Sequence, residues 1–166
     1  MLVMVIRRKQ IEIDKGIIGV ISDTHGMVRP EAMAALKGVE LIIHGGDIGK
    51  AEVLHALSTI APVQAIRGNN DRGPWAKTLP DILDLQINGA KIHVIHNVHE
   101  LDGDPNAAGF RAIISGHSHK PSVVTRDEVL FVNPGSAGPR RFKLPVTIAR
   151  LSIHCQELNS EILELL

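Results

Sequence analysis

Five short apolar runs in this chain each stop within two residues of a side chain that binds metals, and four of the five loops also carry glycine. Ile17–Ser22 is followed by Asp23-Thr24-His25-Gly26, Leu41–His44 by Gly45-Gly46-Asp47, and Val63–Arg67 by Gly68-Asn69-Asn70-Asp71. Lys91–Ile95 leads into His96, and Ala112–Ser115 into Gly116-His117-Ser118-His119. The runs are rich in Ile and Val, the composition of strands covered on both faces. Two helix signals separate the first three. Pro30–Lys37 is rich in Ala and Met and stops at Gly38, and Ala51–Ile60 places Val53, Leu54, Leu57 and Ile60 at helical spacing. Strand, helix, strand, helix, strand demands parallel pairing with right-handed crossovers. A parallel sheet opens the carboxyl ends of its strands onto one crevice. Loops spread over positions 23–119 are therefore expected to converge on one site.

The second half reads differently. Asn88-Gly89 between Ile82–Ile87 and Lys91–Ile95 is a strong hairpin signal, and Asp127-Glu128 between Ser122–Arg126 and Val129–Asn133 marks another. Val146–Ile153 and Glu161–Leu166 alternate in polarity, with the turn expected at Asn159-Ser160. Met1–Asp14 is strand-like over Leu2–Ile6 and Ile11–Ile13, and residues 1–16 are expected to add an edge strand or hairpin. The expected fold class is α/β: two mixed sheets packed together with helices outside, in a single domain spanning 1–166.

Composition narrows the function. Lys plus Arg total 18 and Asp plus Glu total 18, so no net basic field draws in a polyanion. Three Phe, one Trp and no Tyr leave little to stack bases on, which makes nucleic acid an improbable partner. No apolar stretch approaches the roughly 18 residues of a membrane span. Met1–Ile6 is apolar and precedes Arg7, Arg8 and Lys9, the reverse of a secretory leader. The single cysteine, Cys155, cannot close an internal disulfide, so the expected compartment is the cytoplasm.

The side chains at the five loops are Asp23, Asp47, Asn69, His25, His96, His117 and His119. Mixed imidazole and carboxylate donors suit Mn, Fe, Zn, Ni or Co better than Ca or Mg. Seven donors exceed the three or so that one catalytic ion takes from protein, and fit two ions sharing a carboxylate.

The ordered series D-x-H, G-D, G-N-x-D, H and G-H-x-H resembles the signature of the calcineurin-like metallophosphoesterases, and most of all their small single-domain phosphodiesterases from bacteria and archaea. The likeness runs from about Ile17 to the Asn133-Pro134-Gly135-Ser136 and Pro139-Arg140 segments. It implies a four-layer α/β/β/α sandwich. It implies that Asp23, His25 and His119 hold one ion, that Asn69, His96 and His117 hold the other, and that Asp47 bridges them. Manganese or a similar transition metal is the expected activator, and a hydroxide between the ions is the expected nucleophile for in-line attack on a small phosphate ester. Where the pattern usually carries a histidine, this chain has Asn70, and Asn97 follows His96 where glycine is common. The first departure implies a changed efficiency or substrate range.

Other residues carry weaker signals. Asp71 is a candidate to orient a ligand histidine, and His99 to protonate a leaving group. Arg72, Arg140 and Arg141 are either phosphate contacts or solvated charges. His44 reads as a structural hydrogen-bonding residue, and His55, His93 and His154 as non-catalytic. Trp75 reads as core, Cys155 as half-buried filler, and Asn133–Ser136 as a turn that acts mainly through its backbone. Two alternatives to a phosphodiesterase are a protein-interaction scaffold, as in the retromer subunit that the family also resembles, and a nuclease. A homodimer joined through Met1–Ile6 is a further expectation.

Overall fold

The computed structural model describes residues 3–166. In chain order its elements are β1 (Ile6–Ile11), β2 (Ile17–Ile21), α1 (Pro30–Ala35), β3 (Leu41–His44), α2 (Ala51–Ser58), β4 (Val63–Ala65), α3 (Pro74–Lys77), β5 (Ile82–Ile87), β6 (Ala90–Ile95), a 3-10 turn at Val98–Glu100, β7 (Ala112–Ile114), β8 (Ser122–Arg126), β9 (Val129–Asn133), β10 (Thr147–His154) and β11 (Glu157–Glu164). They form a five-stranded sheet in the order β11-β10-β2-β3-β4 and a six-stranded sheet in the order β1-β5-β6-β7-β9-β8. Both are mixed, as the α/β reading required: β2, β3 and β4 run parallel, as do β6, β7 and β9, while hairpin partners run antiparallel.

Alternation along the strands builds the layers. Ile18, Val20, Leu41 and Ile43 face Leu83, Leu85, Ile92, Val94 and Ile114 across the space between the sheets. The intervening Ile21 and Ile42 face the other way, onto Ala32, Leu36, Val53 and Leu57 of the helical layer. β2 and β3 are thus buried on both faces, which is why they read as unbroken apolar runs. The outer face of the six-stranded sheet has a thinner cover. Val98, Leu101 and Phe110, from the 3-10 turn and the loop after it, pack on Ile82, Ile95 and Ile113. No helix among the described residues is long and apolar enough to cross a membrane.

One alternative is resolved and one expectation needs correction. Of the edge strand or hairpin expected before Ile17, β1 is the edge strand. It pairs parallel to β5, from Ile6 opposite Ile82 to Ile11 opposite Ile87, as the edge of the six-stranded sheet. Its apolar spacing was legible, but the partner lies 76 positions away and no local turn signals it. Met1 and Leu2 of the apolar run lie outside the described residues. The last hairpin turns at Cys155-Gln156, both at positive φ, and not at Asn159-Ser160. Neither residue favours that conformation. The eight paired positions of β10 and β11 decide the register instead, seating Leu158 and Ile162 on the core. Cys155 is consequently exposed at a turn and not half-buried in a strand.

One carboxylate grips the link from β1 to β2 at three points. Glu40 accepts hydrogen bonds from the backbone N–H groups of Asp14 (2.6 Å), Lys15 (2.7 Å) and Ile17 (3.3 Å). Desolvation opposes its ionisation, but these donors outweigh it and hold its pKa below the ordinary glutamate value. A carboxylate depressed in the folded state stabilises above its unfolded pKa and loses that contribution as pH falls. We expect Glu40→Gln to lower the thermal midpoint by a few degrees near pH 7. The gap from the native protein should close as pH drops below 4.5, the unshifted value, as followed by circular dichroism melts.

Candidate metal centre

Strand register brings the five loops together. Ile21 lies beside His44 and His44 beside Ala65, so the loops bearing Asp23, Asp47 and Asn69 leave the five-stranded sheet at one edge. Val94 lies beside Ile114 and Ile114 beside Val132, so His96, His117, His119 and Asn133 leave the six-stranded sheet at its matching edge. Backbone bonds then lock the loops together: Asp23 N–H to Gly46 O (3.0 Å), His25 N–H to Asp47 O (3.0 Å), and Gly116 N–H to His96 O (2.9 Å).

Asp23 sits at the centre and is fully buried. Its Oδ2 accepts from Ser22 Oγ (2.8 Å) and from the His117 N–H (3.0 Å). Its Oδ1 has no hydrogen-bond partner, yet Nε2 of His119 lies 3.4 Å away, that of His25 3.9 Å and that of His96 4.0 Å. Asp47 Oδ2 lies 3.4 Å from His96 Nε2 and 3.9 Å from His25 Nε2. His25 and His119 approach to 3.4 Å through Nε2. On the other flank, His117 stands edge-on to His96 with ring centres 5.2 Å apart, and its Nδ1 lies 3.2 Å from Asn69 Oδ1. All seven sequence-predicted ligands therefore stand around one cage. Two groups in it offer metal-binding spacing, Asp23 with His25 and His119, and Asp23 with Asp47 and His96.

The electrostatics of the cage call for a cation. His96 Nδ1 lies 2.7 Å from Gly45 O, so it carries the proton and donates, leaving the Nε2 lone pair aimed at two carboxylates without a hydrogen-bond partner. Burial alone would lower the His96 pKa. Asp47, the Gly45 carbonyl and Asp23 overcome this and raise it. Burial would likewise raise the pKa of Asp47, but His96 and the Asn70 N–H hold it well below the carboxylate range. Of the four buried side-chain atoms without partners among the described residues, three belong to the cage: Asp23 Oδ1, His96 Nε2 and His119 Nδ1. The orphaned Asp23 Oδ1 and His96 Nε2 fit a metal, which supplies the missing positive charge.

The backbone is strained to reach this arrangement. Asp23, His25, Asp47, His117 and His119 all have φ between 47° and 70°, the left-handed region, at a cost of about 1–3 kcal/mol each. Close approach also demands glycine. A Cβ on Gly68 would collide with the Asp47 backbone and carboxylate, and one on Gly116 with Ser22 Oγ and the Asp23 carboxylate.

The other predicted residues fall into place unevenly. Asn70 is seated at the cage: its N–H and Nδ2 donate to the two Asp47 oxygens at 2.9 and 3.0 Å, so its side chain fixes that carboxylate. Asp71 does not orient a histidine. Its carboxylate accepts from the backbone N–H groups of Gly68 (2.8 Å), Ile48 (3.2 Å) and Gly49 (2.9 Å), tying the third loop to the second. His99 is exposed on the 3-10 turn and lines a side cavity of about 570 Å³ with His117 and Ser118. Arg72 lines a different cavity next to Asn69, while Arg140 donates to Leu144 O and Arg141 is exposed. Trp75 packs on the helical layer, and His93 pairs with Asp84 at 2.6 Å.

His44 is the structural residue expected. Thr24 Oγ1 donates its proton to Ile48 O, so it accepts from His44 Nε2, while His44 Nδ1 accepts from Gly46 N–H. Burial pushes its pKa down to about 4, which keeps this tautomer neutral. The Asn133–Ser136 turn does more than its backbone suggested. Ser136 Oγ donates to Asp23 O, and Asn133 Nδ2 donates to Gly116 O and Ser118 Oγ. Residue type and order gave these side chains no signal, because the contacts join positions 113 and 17 apart.

Comparison with known proteins agrees with this geometry. Residues 17–156 match the model of the calcineurin-like phosphoesterase superfamily domain. The chain is 35% identical over 159 residues to the "Probable metallophosphoesterase" of Methanothermobacter thermautotrophicus, covering 89% of this chain and 91% of that one. A solved structure described as a novel archaeal phosphodiesterase superimposes with a TM-score of 0.74 at 26% identity, over 89% of this chain and 99% of that one. Vps29 of Chaetomium thermophilum shares the fold, with a TM-score of 0.72 at 16% identity over 89% and 96% of the two chains.

The three-way grip of Asp71 generates a prediction. Asp71→Ala leaves three backbone N–H groups unsatisfied at a largely buried position, and we expect a loss of about 2–4 kcal/mol in denaturant unfolding. The same variant should bind transition metal more weakly, as read by calorimetry, because the loop bearing Asn69 loses its anchor.

Proposed function

Because the chain belongs to the calcineurin-like phosphoesterase superfamily, we propose that it is a metal-dependent phosphodiesterase acting on a small phosphate ester, with two divalent transition-metal ions in the cage. The observation that carries the reading is the unpartnered Asp23 Oδ1 surrounded by three imidazole nitrogens within 4.0 Å. Asp23, His25 and His119 would hold one ion, and Asn69, His96 and His117 the other. Asp47 would bridge them, a role supported by its Oδ2 standing within 4 Å of imidazoles on both sides. Manganese is the proposed metal, and Ni, Fe, Co and Zn suit the same donors. When bound, the ions supply Lewis-acid charge against phosphoryl oxygens and an acidified water for in-line attack.

The protein's own share is positional. The Gly45 carbonyl fixes the His96 tautomer and points Nε2 inward. Both Asn70 donors hold the Asp47 carboxylate in one orientation. No cysteine or activated serine lies in the cage: Ser22 and Ser136 both spend their hydroxyl protons on Asp23. Neither serine is therefore a candidate nucleophile for a covalent protein intermediate. His99 is the proposed proton donor to the leaving group, supported by its place in the cavity that it shares with His117.

A protein-interaction scaffold on the same fold is the competing reading, favoured by the likeness to Vps29. The complete donor set counts for catalysis, and purified protein that neither retains nor responds to transition metals would count for the scaffold. The direct test is hydrolysis of aryl phosphate mono- and diesters with Mn, Ni, Mg and Zn supplied separately. We expect activity that chelation removes. Asp47→Asn should cut kcat/KM by more than the roughly 100-fold loss typical of a residue that only orients a ligand. Full activity in that variant would defeat the assignment.

A further inference from the structure

We propose that the segment before β1 is a wall of the catalytic cleft, with Val3 and Met4 receiving an apolar ester arm of the substrate. The inference rests on the phosphodiesterase reading and narrows its substrate class to diesters carrying an aryl or alkyl group. Register places the segment there. Ile6 lies opposite Ile82, and Ile82 opposite Ile95, so residues before Ile6 overhang the edge from which His96 projects. The segment is fastened at that edge. The Val5 N–H donates to Asp81 Oδ2 (2.8 Å), and Val5 O accepts from the N–H groups of Asp81 (2.8 Å) and Ile82 (3.1 Å). Asp81 Oδ1 in turn accepts from Arg67 Nη2 at 2.7 Å, one residue before the glycine that leads to Asn69.

Val3 and Met4 line one cavity together with Asn69, His96 and His117. It measures about 490 Å³, within the ~300–1,000 Å³ range of small-molecule sites. Val3 is 81% exposed and Met4 47%, apolar surface left in water beside a polar cage, of the kind a ligand covers. The charges around the cavity argue against a second phosphate. Arg67 is paired with Asp81, the Asp71 carboxylate is taken up by backbone amides, and Glu100 lines the same cavity as Arg72, so the lining carries no net positive charge. An apolar arm is accommodated on the Val3 and Met4 side of this mixed lining, which Ile95 extends. Residues 3–5 also precede the stretch that matches the superfamily, which begins at residue 17, so the wall is an addition to that core.

The experiment pairs kinetics with a binding readout. In metal-loaded protein, the Val3→Ser/Met4→Ser double variant should raise KM for bis(p-nitrophenyl) phosphate about fivefold or more, with kcat and the inhibition constant of inorganic phosphate unchanged, because phosphate does not reach the wall. In native protein labelled with ¹³C-methyl methionine, diphenyl phosphate should shift the Met4 resonance and leave Met27 and Met33 in place. An unchanged KM, a KM that moves in step with phosphate inhibition, or a stationary Met4 signal would overturn the proposal. The methyl signal reports binding and not turnover. Native protein that hydrolysed no diester would therefore defeat the proposed activity separately, with the wall still judged by Met4.

Discussion

A carboxylate buried without a counter-charge is the constraint from which the rest of the site follows. Asp23 is fully buried, and removing a carboxylate from water costs several kcal/mol even after relaxation. Ser22 Oγ and the His117 N–H compensate one oxygen. The other faces three imidazole nitrogens, one of them on a histidine whose proton is committed to the Gly45 carbonyl. Neutral imidazole lone pairs and carboxylate oxygens repel when nothing lies between them. The cage is therefore costly for a bare protein and favourable around a metal cation.

That cost is met by the fold. Five residues of the cage adopt left-handed backbone conformations, which persist only where the surroundings over-determine them. The surroundings here are backbone bonds between loops, the Asp71 grip on three amides and the Ser136 bond to Asp23, all seated on two sheets whose aliphatic faces pack together. Strain at the rim is thus supported by the inter-sheet core, and the polar network between loops transmits that support. Glycines at 68 and 116 belong to the same scheme, since any side chain there would occupy space taken by Asp47 or Asp23.

Asn70 shows how one substitution in a recurring pattern changes the chemistry available. A histidine could carry a proton, whereas Asn70 donates to Asp47 and holds a charge in place. On the phosphodiesterase reading proposed above, protonation of a leaving group would then fall to a more distant group or to solvent, which would suit esters with good leaving groups. The proposed wall of Val3 and Met4 would add a second restriction, acting on the shape and polarity of the ester arm rather than on its departure.

The sequence by itself determined the α/β class, the parallel pairing of Ile17–Ile21, Leu41–His44 and Val63–Ala65, and the seven donors of the cage. These were legible because strand alternation, turn chemistry and donor type are local, and a parallel sheet sends successive strand ends to one side. Tertiary structure alone decided what depends on partners far along the chain. The β1 edge strand pairs with β5 across 76 positions, the final turn falls at Cys155-Gln156 because β11 must seat Leu158 and Ile162, and Asp71 serves backbone amides instead of an imidazole. A carboxylate or a β-branched run has the same local propensity whichever partner it meets, and only packing selects among those partners.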